Sequence, residues 1–134
     1  MTPADAHKRL DELGVLDASH GPGIYALRVS VPSGVEAIQR EWLDAIDAPL
    51  PDAYAEQLAD GRMCLYVGRS GNVYDRIMDH ADGQVRRASF IRAFGMSDVY
   101  GVYPEDENSG VAERDRARSL SDATTVVWTD GELF

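Results

Sequence analysis

The stretch Cys64 to His80, CLYVGRSGNVYDRIMDH, sets Tyr66, Arg69, Arg76 and His80 around one strand-turn-helix junction. Arg76 and His80 are spaced i and i+4, so both fall on one helix face and can reach a single phosphate. Their combined charge suits the stabilisation of a pentavalent phosphorus. Upstream, Gly23-Ile24-Tyr25 opens a second strand and supplies another phenol. Taken singly these residues have plain readings: Tyr25 and Tyr66 as strand residues with packed rings, Arg76 as a solvated helix face, His80 as a cap or surface residue. Arg86-Arg87 reads equally as helix solvation or phosphate contact, and Glu113, beside Arg114, Asp115 and Arg116, as a surface charge. Only the joint spacing lifts them above that.

The two tripeptides, Gly23-Ile24-Tyr25 and Tyr66-Val67-Gly68, with Arg69 next and Arg76 and His80 ten and fourteen residues after Tyr66, resemble the GIY-YIG nuclease family over about residues 21 to 120. The resemblance implies a GIY-YIG-like fold and a metal-dependent endonuclease that hydrolyses phosphodiester bonds, in DNA rather than RNA. It implies Tyr25, Tyr66, Arg76, His80 and Glu113 as catalytic residues. Glu113 would hold one Mg²⁺ or Mn²⁺ that polarises the scissile phosphate. Gly68, Arg69, Arg86 and Arg87 would contact substrate, and Tyr66 or Tyr25 would take a proton from water. A phenol with a reference pKa near 10 lies about three units too high for that at neutral pH, a gap of about 4 kcal/mol that Arg69, Arg76 and a metal would have to supply.

Two features depart from the family pattern. Tyr25 and Tyr66 are 41 residues apart, which makes 32–61 an insert that could form a lid or a partner surface through Trp42, Leu43 and Ile46, including one for a homo-oligomer. The asparagine that often follows the glutamate helix has no counterpart at Thr124-Thr125; the asparagines are Asn72 and Asn108. An alternative therefore stands beside the nuclease: a catalytically impaired module that binds nucleic acid or protein.

The elements that must position these groups follow from capping and periodicity. Thr2-Pro3 opens a short N-terminal helix, with Leu10 and Leu13 on one face, that stops at Gly14 and lies within residues 1–20. Residues 24–31 alternate as a strand. Ser33 and Glu36 have capping-box spacing ahead of a helix over 34–47, and 52–59 adds a helical turn or two. A strand over 62–67 ends at Gly68, and Asn72 caps a helix over 73–82. Further helices are expected at 84–94 and 111–120, strands at 98–103 and 124–128, and an acidic loop at 104–109. The sum is one α+β domain over 1–134, its small mixed or antiparallel sheet of three to four strands flanked by helices, with the site-bearing core at 62–120.

Composition bounds the reading. A chain of 134 residues, 44% hydrophobic and 27% charged, can bury roughly two-thirds of its unfolded surface in one domain. No 18-residue apolar run and no basic-then-apolar start occurs, so a cytoplasmic protein with no membrane partner is expected. The lone Cys64 sits in an apolar strand pattern and reads as core. The net charge of −10 opposes nucleic acid, yet residues 61 to 92 sum to +3 while 1 to 60 sum to −7 and 93 to 134 to −6. With 15 Asp, 8 Glu and 12 Arg against Lys8 as the single lysine, the surface suits a halophilic source, where a Debye length of about 3 Å or less silences distant carboxylates.

Overall fold

The computed structural model describes residues 1–85, 87–106 and 109–134. Arg86, Glu107 and Asn108, the first of them an expected substrate contact, lie outside the described residues. Five strands form one mixed sheet in the order β3-β1-β2-β4-β5. β1 (Gly23–Val29) pairs antiparallel with β2 (Met63–Ser70) and with β3 (Met96–Pro104). β4 (Thr125–Thr129) pairs parallel with β2, and β5 (Glu132–Leu133) closes a hairpin on β4.

The central strands are apolar on both sides because both faces are covered. Tyr25, Leu27 and Val29 of β1, Cys64 of β2, and Val126 and Trp128 of β4 enter the larger cluster. There they meet α1 (Pro3–Glu12), α3 (Val35–Ile46), α4 (Asp52–Leu58), α5 (Val73–Ala81) and α6 (Ser89–Phe94). The single-turn α2 (Leu16–Ser19) follows α1. Ile24, Ala26, Leu65, Val67 and Val127 face the other way onto Ala117 of α7 (Gly110–Leu120). Among the described residues no helix is long and apolar enough to cross a membrane.

The α+β architecture read from the sequence holds, with a fifth strand added. Thr2 closes the expected cap on α1, accepting from the Asp5 amide while the Asp5 side chain accepts from the Thr2 amide. Ser33 does not cap α3: the N-cap is Gly34, at φ 91°, with no side-chain hydrogen bond. β2 does not stop at Gly68, since Gly23 and Ser70 pair across the ladder and carry it two residues further. The helical run expected over 84–94 shrinks to α6, and residues 84, 85, 87 and 88 run as non-helical chain along the site.

The insert is no lid. Ile38, Trp42, Leu50 and Leu58 are buried in the main cluster, and at about 1.5–3 kcal/mol per large side chain lifting them out would cost on the order of 10 kcal/mol, comparable to the whole stability of a domain. Trp42, expected on an association face, is 6% exposed and packs on Trp128 and Phe94; Leu43 remains 51% exposed.

Candidate active site

Where the C-terminal ends of β2 and β4 meet the start of α7, a cavity of about 470 Å³ opens, lined by Tyr25, Tyr66, Arg69, Arg76, Arg87 and Glu113 among others. β1 and β2 contribute the phenols, α5 the Arg76 guanidinium, α7 the carboxylate. Asn72 makes this convergence possible by accepting a hydrogen bond from the Asp75 amide, 3.1 Å, which starts α5 directly after the strand.

Gly68 explains the glycine of Tyr66-Val67-Gly68. It pairs with Tyr25 across the β1–β2 ladder, and a Cβ there would overlap the Tyr25 hydroxyl and ring. The phenol lies over bare backbone, so Gly68 acts as a floor under Tyr25 rather than as a substrate contact.

Tyr25 is 1% exposed and its hydroxyl lies 2.8 Å from His80 Nε2. The Tyr25 and Tyr66 rings lie 6.3 Å apart, centroid to centroid, and each sits 5.5 Å from the imidazole ring. His80 itself does not line the cavity. It is 4% exposed, and its Nδ1 has no hydrogen-bond partner among the described residues. Burial, with the neighbouring Arg76 guanidinium, pushes its pKa down to about 4. The expected second positive charge beside Arg76 is therefore absent: His80 is neutral and buttresses Tyr25 instead of meeting a phosphate.

Burial also reverses the expectation for the phenols. It pushes Tyr25 well above its ordinary pKa and raises Tyr66, outweighing the opposing field of Arg76 in both cases. Glu113 is raised too, chiefly by burial and further by Asp130, against the pull of Arg69, whose Nε stands 3.9 Å from Glu113 Oε2.

Asp130, which the sequence reading passed over, lines the same cavity. It occupies a left-handed position, φ 49°, followed by Gly131 at φ 77°, in the two-residue turn joining β4 to β5. Asp-Gly between alternating strands is a strong hairpin signal and was the clue available. Ser89, Val85 and Trp128 complete the wall. Trp128 is held from behind by Phe90, stacked at 5.1 Å, and by Trp42 and Tyr54 of the insert.

Glu113 and Asp130 are hard oxygen donors facing one cavity, and their mutual repulsion is what a divalent cation would relieve. Among the described residues no three His, Cys, Asp or Glu side chains gather into a metal cage. One or two carboxylates completed by water and phosphate oxygens suit Mg²⁺, which holds its hydration shell tightly.

Because the folded pKa of His80 is depressed from 6.5 to about 4, the unfolded chain binds the proton first as pH falls. Stability is expected to be full above about 6.5 and to drop by about 3 kcal/mol as pH falls toward 4. Denaturant unfolding from pH 7 to 4 measures this, and His80→Asn is expected to flatten the slope.

Comparison with protein-family models, with curated proteins and with solved structures finds no match to this chain.

Proposed function

We propose that the chain is a metal-dependent endonuclease of GIY-YIG type, hydrolysing phosphodiester bonds in DNA, in the cytoplasm of a halophile. The observation that carries the reading is the meeting of two neighbouring phenols, three guanidiniums and a buried carboxylate in one cavity. Glu113, with Asp130, would hold Mg²⁺ or Mn²⁺. The metal, when bound, supplies Lewis-acid polarisation of the scissile phosphate and shields the leaving oxygen.

The phenols act without ionising. Tyr66 Oη, the more open of the two, orients the attacking water as a neutral hydrogen-bond partner, the water's proton leaving to a non-bridging oxygen of the substrate phosphate, while Tyr25, held by His80 Nε2 at 2.8 Å, fixes the ring beside it. Neutral phenols are what the burial of both rings favours, and an imidazole held near pKa 4 stays neutral as their buttress. Arg76, whose field reaches both phenols and His80, stabilises the pentavalent phosphorus, while Arg69 and Arg87 orient the backbone on either side.

Supercoiled plasmid incubated with Mg²⁺ or Mn²⁺ in molar KCl tests the proposal. Nicking is expected, with a fall of about 10²-fold or more in Arg76→Ala and a similar or larger one in Glu113→Ala. Activity untouched by both substitutions would overturn it. The burial that raises both phenols favours one other reading, a module that binds nucleic acid without turnover; retention of DNA on a filter with no nicking in either metal would establish that instead.

A further inference from the structure

A second cavity, of about 300 Å³, lies at the other end of the β1–β2 ladder, where the insert leaves β1 and returns to β2. It shares no lining residue with the candidate active site. Tyr25 and Val29 are four residues apart along β1, about 13 Å at the rise of a strand.

In a chain of net charge −10 this cavity is basic. Arg28 and Arg62 line it, with the hydroxyl residues Ser30 and Ser33. Arg28 is the one exposed residue of β1. Its cross-strand neighbour on β3 is Asp98, but that carboxylate already accepts from Arg9 Nε at 3.1 Å and from the Val99 amide at 2.8 Å. Among the described residues no carboxylate pairs with the Arg28 guanidinium. Arg62 has its Nε 3.1 Å from Asp60 Oδ2, out of hydrogen-bond alignment, so this buried N–H stays unsatisfied among the described residues. Directly after Ser33, Gly34 is the N-cap of α3 and offers no side chain to its first-turn amides, with Glu36 the one acid in that turn. A guanidinium with no carboxylate partner, a second whose Nε–H lacks an aligned acceptor although its charge is shared with Asp60, two hydroxyls and a helix start without a side-chain cap suit a tetrahedral oxyanion, which offers acceptors in several directions at once.

We infer that the Arg28–Arg62 cavity binds a phosphate group carried by a nucleotide or by a nucleic-acid backbone. The inference is independent of the proposed chemistry, because none of its residues touches the first cavity.

Fluorescence anisotropy of labelled dAMP and of a labelled single-stranded deoxyoligonucleotide, on the full chain, tests it. The background is Glu113→Ala, so that cleavage plays no part. Arg28→Ala is expected to weaken binding about 10-fold, with Arg28→Lys intermediate, and Ser30→Asp, which places a carboxylate at the mouth, to weaken it at least as much. Loss of dAMP alone identifies a terminal phosphate as the group held, loss of the oligonucleotide alone identifies the backbone, and loss of both a phosphate in either setting; each outcome supports the inference. Failure of the parent to bind either probe, or binding unchanged by Arg28→Ala and Ser30→Asp in protein with an unaltered melting curve, overturns it. Nicking by the chain with Glu113 intact, measured in parallel, reports separately on the first cavity.

Discussion

Glu113→Gln is expected to lower metal-dependent nicking by about 10³-fold, or about 4 kcal/mol of transition-state stabilisation, while leaving the fold intact or slightly firmer. Both halves follow from the same burial. The carboxylate is only 9% exposed and titrates above its ordinary value because it is desolvated and faces Asp130, so exchanging it for a neutral isostere relieves strain in the folded state. The amide keeps the shape but loses the charge that a divalent cation requires. Plasmid nicking rates give the first quantity and thermal unfolding the second. DNA affinity without metal is expected to rise, since one negative charge has left a cavity lined by three arginines. A Glu113→Gln protein that nicks as fast as the parent would remove the carboxylate from the mechanism.

Gly68→Ala carries the second large effect. The added methyl group overlaps the Tyr25 hydroxyl and ring, and Tyr25 has nowhere to retreat, being wedged between His80 at 2.8 Å and Tyr66. Overpacking of this kind costs about 1–3 kcal/mol, and a displacement of about 1 Å at a reacting group costs about 10²-fold in rate. The expected result is a lower melting temperature together with nearly complete loss of nicking. Adding Tyr25→Phe removes the most crowded atom and is expected to restore part of the stability, with no return of activity. A double-mutant cycle measures the coupling; additive losses would mean that the glycine and the phenol do not oppose each other.

Much of this arrangement was legible in the chain. The 3.6-residue spacing of Ile38, Trp42 and Ile46 and the unbroken apolar run of residues 24 to 27, buried on both faces of the sheet, each reflect burial that a local pattern records directly. What could not be read depended on partners distant in sequence. β2 runs on past Gly68 because β1 pairs with it up to Ser70, and no local rule contains that pairing. Residues 84, 85, 87 and 88 have helical composition, but they follow the cavity wall instead, with Val85 and Ala88 lining it. Trp42 looked like an exposed anchor because its partners, Phe94 and Trp128, lie 52 and 86 residues further along. The spacing that brought Arg76 and His80 to one helix face was read correctly as geometry and wrongly as charge. Burial, which discharges the imidazole, is a property of the packed whole. Asp130 was overlooked because a two-residue strand leaves no periodicity, although its Asp-Gly turn was in plain view.

The parallel pairing of β2 with β4 has a consequence for synthesis. Met63 finds its ladder partner in Thr125, and Trp128, Asp130 and Gly131 wall the first cavity. Polypeptides emerge from the ribosome N-terminus first at about 5–20 residues per second. The phenols and Arg76 are thus in the emerging chain several seconds before the wall that encloses them, and whatever reaction the cavity performs stays off until translation has passed residue 131.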